Sequence, residues 1–380
     1  MAGNAGLAGL AGLAGLAGLA GLAGLGGVRG AGASSGLGPF LGSEAAPLFD
    51  PTTTQGMMVS AEAIRHNAQT TPLTGNINLG AGSLDQLPQW VRASLYFSTF
   101  FREISVHPRL TGIELRAGRL PVRLVNFPRP TNAGLFNQQL MLVRCYIDDR
   151  TEHAPEVLSQ LAFPTEYSAM ILGLHPARHP YLYELVATAQ FLGEHVAMIV
   201  KQHLNVPRPD DLDASIMPMI SAPGHASYPS AHATQAFATA EVLDAALRAF
   251  SGNDPDRDDR LDLLWAQAER IAVNRTVAGV HYPIDSWAGA TLGRIVGKLL
   301  LALAGAPGAR RFYGMNYTAQ QHDFTSGEFR GAFDRAASGT NNNGLRRHRV
   351  PVIVPQPHTF FEQLWCEVGK EFARRSKHVR

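Results

Sequence analysis

The sequence predicts a mainly α-helical fold, and two observations lead to this prediction. From residue 59 onward, apolar residues recur at spacings of three and four in one segment after another, which is the period of an amphipathic helix. Pro and Gly lie in the gaps between these segments, where they end helices and form turns. Because 45% of the 380 residues are hydrophobic, the chain can bury a large core and fold as a helical bundle.

The helical period marks six segments, and other features complete the secondary-structure prediction. The predicted helices are residues 90–104, 138–144, 181–204, 232–250, 258–276 and 283–303, with a last helix near 359–376. Alternating apolar residues within 112–126 predict at most a small β-hairpin. Residues 338–344 are a predicted loop, and a basic tail is expected from residue 345.

The first 43 residues differ from the rest of the chain in composition. Residues 5–25 are seven copies of Ala-Gly-Leu, followed by Gly/Ser-rich sequence to about residue 43. Gly at every third position makes a poor membrane helix, and no basic segment precedes the apolar run as it does in a secretory signal. We expect residues 1–43 to be a disordered leader, with a divergent export signal as the alternative. Residues 44–380 are predicted to form a single domain whose functional core spans 195–305.

Composition excludes several classes of partner and site. Lys and Arg number 33 and Asp and Glu 31, so a net charge of +2 creates no field that attracts nucleic acid or an anionic membrane. No apolar stretch is free enough of charge to be a membrane span, so we expect a soluble protein, cytoplasmic or exported, as a monomer or a homo-oligomer. The chain has only two cysteines, Cys145 and Cys366, which is too few for a disulfide scaffold. We expect two buried thiols, with one bridge as the alternative.

Three short segments in the second half of the chain carry charged and reactive side chains within apolar sequence. A buried cation is costly unless it is paired, and so these segments need a common explanation. Their residues are Lys201 and Arg208 in the first segment, His225, Ser230, Ala231 and His232 in the second, and Arg275, His281 and Asp285 in the third.

Two of these segments lie at predicted helix N-termini. Ser230 precedes the helix 232–250 as its N-cap, and helix N-termini bind anions through unpaired N–H groups and the helix dipole. Pro283 suits the first turn of the next helix, which places His281 at the start of that helix. Asp285, four residues later, can hydrogen-bond one imidazole nitrogen and leave the other free as a ligand or nucleophile. Alternatively, Asp285 only stabilises the helix start.

Each of these residues also has an ordinary structural explanation. Lys201 can be a helix C-terminal charge, the arginines can be ion-pair partners, and the histidines can be structural side chains. Taken together, three permanent positive charges, two imidazoles, a hydroxyl and backbone donors match a tetrahedral oxyanion with two or three negative charges. The sequence therefore predicts an oxyanion site.

The three segments resemble the tripartite signature of the superfamily that joins vanadium-dependent haloperoxidases to type 2 phosphatidic acid phosphatases and bacterial class A acid phosphatases. The matching motifs are Lys201 with six residues before Arg208-Pro209, then Pro229-Ser230-Ala231-His232, then Arg275 with five residues before His281 and three more before Asp285. The resemblance covers about residues 201–305 and implies a helical bundle of the haloperoxidase and acid phosphatase type.

The resemblance also implies a role for each matched residue. It implies that His281 binds vanadium, or attacks phosphorus, while Asp285 orients it and His232 acts as the acid–base group. The groups that would hold the oxyanion are Lys201, Arg208, Arg275, Ser230 and the backbone N–H of Ala231. The superfamily usually has Gly in place of Ala231, so Ala is strained if the backbone needs a positive φ and harmless if the helix starts there.

The same pocket can serve two reactions. A haloperoxidase holds vanadate as a cofactor and oxidises halide with hydrogen peroxide, whereas a phosphatase of this type hydrolyses phosphate esters through a phosphohistidine. His225 lies seven residues before His232 in a run that resembles an algal bromoperoxidase segment with a histidine near the halide site, although a turn histidine is the alternative. The long region before Lys201 also resembles the haloperoxidases. We therefore expect a haloperoxidase, with a soluble acid phosphatase and a non-catalytic anion-binding protein as second and third alternatives.

Overall fold

The computed structural model describes residues 60–61, 83–87, 89–118, 122–161, 165–325, 327–340, 343–354 and 356–377. Residues 1–43, for which a disordered leader is predicted, lie outside this part of the chain. Within it, helices predominate, which confirms the mainly α-helical fold. None of these helices is both long enough and apolar enough to cross a membrane.

The observed elements agree best with the sequence in the second half of the chain. In chain order, the helices are α1 (Gln89–Arg102), α2 (Ala133–Cys145), α3 (Arg150–Ser159), α4 (Thr165–Leu172), α5 (Pro180–Leu204), α6 (Pro209–Leu212), α7 (Ala231–Phe250), α8 (Arg257–Val277), α9 (Pro283–Leu303), α10 (Glu328–Ser338) and α11 (Thr359–Lys377). The strands are β1 (Ile104–Arg109), β2 (Gly112–Ala117), β3 (Arg123–Pro128), β4 (Arg311–Tyr317) and β5 (Leu345–Ile353). The bounds of α9 are those predicted, and α5, α7 and α8 differ from their predicted bounds by one residue at most.

Helix α7 lies at the centre of the bundle and packs against α5, α8 and α9. Helix α9 is buried along almost its whole length, as expected of a helix that is apolar on all sides. Two of its glycines allow direct backbone contact, because a Cβ atom at Gly289 would lie 2.4 Å from the Ser230 carbonyl oxygen and one at Gly293 would lie 2.3 Å from that of Thr234. Helices α7 and α9 therefore run side by side in the same direction, with both N-termini at one end of the bundle.

The predicted hairpin is present as β2 and β3, but it belongs to a larger sheet than expected. The described strands form one five-stranded sheet in the order β1-β2-β3-β4-β5, antiparallel except between β3 and β4. Strand β5 lies where a basic tail was expected. The strand was not recognised because its arginines interrupt the apolar pattern of the buried positions Leu345, His348 and Val352. Pairing between distant segments leaves little signal in local periodicity, and β4 and β5 were missed for this reason.

Four short helices, α3, α4, α6 and α10, were also missed. Helix α3 is largely polar, contains Pro155 and has Val157 as its buried residue, so it lacks the apolar period from which helices are predicted. The expectation of two buried thiols is wrong, because Cys145 and Cys366 are both exposed and unbridged. Both cysteines lie on helices, α2 and α11, whose solvent-facing positions also follow the helical period.

Candidate active site

The imidazole of His281 is held by the first turn of α9. The carboxylate oxygen Oδ2 of Asp285 lies 2.8 Å from His281 Nδ1 and also accepts the backbone N–H of Tyr282 at 3.0 Å. Both His281 and Asp285 are buried. Because a carboxylate accepts hydrogen bonds, Nδ1 carries the proton and Nε2 carries the lone pair. The contact predicted from the spacing of the two residues is therefore present, and it leaves Nε2 available as a ligand or nucleophile.

Ser227 is a member of this group that sequence reasoning missed. Its hydroxyl donates to Asp285 Oδ2 at 2.5 Å and lies 3.3 Å from His281 Nδ1. Burial raises the pKa of Asp285 to about 6, while the Ser227 hydrogen bond and the charge of Lys201 oppose that rise. Ser227 lies within the second motif, but a serine in a turn-like segment has no sequence feature that distinguishes it from a solvent-exposed one.

Lys201 lies in the last turn of α5 and is almost completely buried, with an exposed fraction of 1%. Its Nζ donates to the carbonyl oxygens of Ala226 at 2.8 Å and Ser227 at 2.6 Å. An ammonium has three donors, so one N–H remains for another acceptor. Burial and the charge of Arg208 lower the pKa of Lys201, and Asp285 opposes this change. Lys201 thus fixes the segment that leads to Ser230 and retains a donor.

Arg208 joins two of the three motif segments. Its Nε donates to the carbonyl oxygens of Pro223 at 3.1 Å and His225 at 2.9 Å, and its Nη1 donates to that of Val280 at 2.6 Å. Val280 directly precedes His281 in the chain. Because all of these acceptors are neutral carbonyls, the positive charge of Arg208 is not compensated by an ion pair in these contacts.

Arg275, in the last turn of α8, is the buried cation with the clearest need for a ligand. Its Nη2 donates to Gln160 Oε1 at 3.0 Å and to the Val157 carbonyl oxygen at 3.3 Å. Its Nε and Nη1 are buried and have no hydrogen-bond partner in the described part of the chain. Burial lowers the pKa of Arg275 to about 10, so it remains charged. A buried guanidinium with unused donors is costly, and an oxyanion is the type of ligand that would use them.

Ser230 caps α7, as predicted. Its Oγ accepts the backbone N–H of Ala233 at 3.3 Å, and its own N–H donates to the Asp285 carbonyl oxygen at 2.9 Å. Helix α7 begins at Ala231, which does not have a positive φ. Ala in place of Gly is therefore harmless here. The N–H groups at this helix start lack intrahelical partners and create a favourable place for an anion.

His232, the second residue of α7, is held by a backbone carbonyl. Its Nε2 lies 3.0 Å from the Gln160 carbonyl oxygen. A carbonyl can only accept, so Nε2 carries the proton and the lone pair is on Nδ1. Burial and the charge of Arg275 lower the pKa of His232 to about 3, which makes its imidazole neutral at neutral pH. A bound anion would raise this pKa by compensating the nearby positive charges.

His225 contacts Arg208, one of the arginines of the predicted oxyanion site. Its Nδ1 lies 3.2 Å from Arg208 Nη2 and 3.2 Å from the Ala226 carbonyl oxygen. Burial and the charge of Lys201 lower its pKa to about 4. His225 is therefore a half-buried, neutral side chain beside the predicted site, and its halide role stays a prediction.

Hydrogen bonds join the three motif segments, and the pKa shifts agree with this arrangement. Burial lowers the pKa of His281 well below its ordinary value, and the charges of Lys201 and Arg208 add to this effect. The same two charges also lower the pKa of His232. The hydrogen bond from Ser230 to Asp285 joins the starts of α7 and α9. The structure thus brings the predicted site residues together: Lys201, Arg208, His225, Ser230, Ala231, His232, Arg275, His281 and Asp285.

Comparisons with known proteins find similarity in the part of the chain that carries the three motif segments. Residues 181–307 match the PAP2 superfamily. The decaprenylphosphoryl-5-phosphoribose phosphatases of Mycobacterium tuberculosis strains CDC 1551 / Oshkosh and ATCC 25618 / H37Rv are each 31% identical to the chain over 122 residues, which is 32% of this chain. The matched part spans 61% of the length of these curated relatives.

A solved structure of a bacterial vanadium-dependent iodoperoxidase is also similar, at 18% identity and a TM-score of 0.36, over 45% of this chain and 50% of that one. This likeness is too loose to support an argument about activity. The predicted site residues all lie within the segment that matches by sequence. The match of residues 181–307 to the PAP2 superfamily therefore covers the whole predicted site.

Proposed function

We propose that this protein is a vanadium-dependent haloperoxidase that oxidises halide with hydrogen peroxide at an oxyanion site on His281. The observation that carries the oxyanion part of the proposal is the buried Arg275, whose Nε and Nη1 have no partner in the described part of the chain. The haloperoxidase part is supported by His225, which lies against Arg208 beside the same site. It is also supported by the resemblance of the His225 to His232 run to a bromoperoxidase segment.

The donor set fits vanadate. His281 Nε2 would bind vanadium, and the oxygens would be held by Lys201, Arg208, Arg275, Ser230 and the Ala231 N–H. When bound there, vanadate would supply a Lewis-acidic centre for the activation of hydrogen peroxide. Asp285 keeps the proton of His281 on Nδ1, so that Nε2 stays available as a ligand.

The remaining residues supply proton transfer and charge. His232 is neutral with its lone pair on Nδ1, so this nitrogen can accept a proton from hydrogen peroxide once the negative charge of bound vanadate has raised its pKa from about 3. The unused N–H of Lys201 and the two arginines stabilise developing negative charge, and their burial strengthens this effect because little water screens it.

Phosphate ester hydrolysis is the second candidate, and the 31% identity to phosphatases over 122 residues favours it. In that reaction His281 Nε2 would attack phosphorus, and the cations would stabilise the charge on the transferred group. His232 would protonate the leaving oxygen, which requires a pKa well above the value of about 3 that burial and Arg275 impose. The charge of a bound phosphate ester would provide that increase. A protein that binds anions without catalysis is the third candidate.

Two assays on the same purified protein distinguish these candidates. The protein is incubated with orthovanadate and assayed for peroxide-dependent bromination of a cyclic dione, and without vanadate for hydrolysis of an aryl phosphate. We expect vanadate-dependent bromination that is lost in His281→Ala and kept in the control His107→Ala, whose histidine lies on β1 beside Ser105. Hydrolysis without bromination would reverse the order of the first two candidates. Anion binding without either reaction would support the third.

A further inference from the structure

One buried glutamine, outside the segment that matches the PAP2 superfamily, contacts two of the predicted site residues. Gln160 follows α3 as its C-cap and has no exposed surface. Its carbonyl oxygen accepts the Nε2–H of His232, and its side-chain Oε1 accepts Nη2–H of Arg275. We propose that Gln160 is a positioning residue that orients both the acid–base histidine and the anion-binding arginine. This inference rests on the proposed oxyanion chemistry.

The side-chain amide of Gln160 has a defined orientation. Its Oε1 accepts from Arg275 and also from Asn274 Nδ2 at 3.1 Å, and its Nε2 donates to Glu156 Oε1 at 3.1 Å. Rotating the amide by half a turn would place an N–H group against two donors and an oxygen against a carboxylate. Three neighbours therefore determine which end of the amide faces Arg275.

This orientation decides which Arg275 donors are left for a ligand. Gln160 Oε1 and the Val157 carbonyl oxygen are both acceptors for Nη2, so neither of them uses Nε or Nη1. Those are the two nitrogens without a partner in the described residues. Because the guanidinium is planar, holding Nη2 also sets the direction of the other donors. Gln160 thereby presents the free donors of Arg275 in a single orientation.

The backbone of Gln160 acts on His232 independently of its side chain. The Gln160 N–H donates to the Glu156 carbonyl oxygen at 3.1 Å, which fixes the end of α3. The carbonyl that follows can only accept, and so it selects the His232 tautomer with the lone pair on Nδ1. The amide and the carbonyl of one residue thus set the direction of a cation and the reactive nitrogen of a base.

The test removes the amide and keeps the carbonyl. In Gln160→Met, the side chain keeps its approximate volume but loses the acceptor for Arg275. We expect the full-length variant to bind inorganic phosphate about 10- to 100-fold more weakly by calorimetry, the range found when partners that orient a ligating residue are removed. The nitrogen chemical shifts of His232, from histidine labelled with nitrogen-15, are expected to show the same tautomer as in the wild type.

Gln190→Met is the matched control. Gln190 is also fully buried and pairs with Thr165, and it lies eleven residues before Lys201 in α5. We expect its phosphate affinity to stay within about twofold of wild type, since no described contact links it to the site. Equal losses of affinity in the two variants, or loss of the His232 tautomer in Gln160→Met, would show that Gln160 acts only through stability and would overturn the inference.

The same experiment separates this inference from the proposed function. If the wild type binds neither phosphate nor orthovanadate, the proposed oxyanion site is refuted whatever Gln160 does. If the wild type binds phosphate and Gln160→Met binds it equally well, the oxyanion site stands and the positioning role of Gln160 is refuted.

Discussion

Two buried arginines in the helical bundle have very different surroundings. Arg294, in the C-terminal half of α9, donates to Glu241 at 2.9 Å and to Asp334 at 3.0 Å, with its guanidinium over the ring of Phe333. Arg275, at the site, donates to an amide and a carbonyl and keeps two nitrogens without a partner in the described residues. The first charge is neutralised by the protein, whereas the second keeps donors that the proposed oxyanion would use. The comparison shows how a structural charge cluster differs from the proposed binding site.

The pKa shifts at the two places have opposite signs. Burial tends to raise the pKa of Glu241, but Lys298 and Arg294 outweigh it and lower that pKa, as in a stabilising ion cluster. Burial lowers the pKa of Arg294, but the charges and hydrogen bonds of Glu241 and Asp334 together outweigh it, so the net shift is upward. At the site, burial lowers the pKa of Arg275 to about 10; the charge of Glu156 opposes this only weakly, and no carboxylate among the described residues accepts a hydrogen bond from Arg275. A net downward shift on a buried cation therefore accompanies the unused donors.

Replacing each arginine by methionine should give the largest difference between the two places. Arg294→Met leaves Glu241 with Lys298 as its remaining partner, and breaking a buried pair costs about 3 kcal/mol of unfolding free energy or more. Arg275→Met removes an uncompensated charge, so we expect its free energy of unfolding to change by less than about 1 kcal/mol. Its phosphate affinity should instead fall about 100-fold, because the variant loses a charge-assisted double hydrogen bond to the anion.

Urea unfolding and phosphate calorimetry on both variants check this prediction. Arg294→Met should bind phosphate as the wild type does at temperatures where it is folded. If Arg275→Met were the less stable of the two, or if Arg294→Met lost more affinity, the distinction between the two arginines would be wrong.

The two places should also lose stability in different pH ranges. Burial and Arg275 lower the pKa of His232 to about 3, whereas a histidine in the unfolded chain titrates near 6.5. Between these values the unfolded chain binds a proton that the folded chain does not, so the free energy of unfolding falls as the pH drops below about 6.5. The slope is at most about 1.4 kcal/mol per pH unit for each such histidine. The Glu241 cluster is fully effective above its ordinary pKa of 4.5 and weakens only below it.

Unfolding in phosphate-free buffer between pH 7 and 4.5 measures this slope. We expect a shallower slope in His232→Asn than in the wild type, and an unchanged slope in Glu241→Gln over the same range. Identical slopes in His232→Asn and the wild type would mean that His232 takes up a proton in the folded state, contrary to its neutral tautomer here.

The smallest expected effect concerns Ser227, whose hydroxyl supports Asp285 and whose backbone carbonyl, which an alanine variant keeps, accepts from Lys201. In Ser227→Ala, the loss of a hydrogen bond to the carboxylate raises the pKa of Asp285. Activity that needs this carboxylate to hold the His281 Nδ1–H is then lost on acidification at a higher pH than in the wild type. A hydrogen bond worth about 1 kcal/mol moves the acid limb of kcat/KM upward by somewhat less than about one pH unit.

The control is Ser286→Ala, a buried serine of α9 that donates to the Ala272 carbonyl oxygen at 3.2 Å. We expect its acid limb to stay in place. An unshifted limb in Ser227→Ala as well would show that Asp285 does not limit activity in acid.

Sequence reasoning succeeded where the information is local. The starts of α7 and α9 follow from a serine N-cap and from Pro283 in a first turn, and the Asp285 to His281 contact follows from a spacing of four residues. It failed for Gln160, because a lone glutamine after a short polar helix shows no pattern. It failed for β4 and β5 because their partners are distant in the chain.

The sequence by itself determined the long helices of the bundle, the three motif segments and the residue types that an oxyanion requires, because periodicity and capping act over a few neighbouring residues. Only the tertiary structure decided which donors stay free. Arg275 and Arg294 are both arginines in apolar helical sequence, and their difference depends on whether a distant amide or a distant carboxylate packs beside them. The physical reason is that the compensation of a buried charge is a property of the whole packing arrangement.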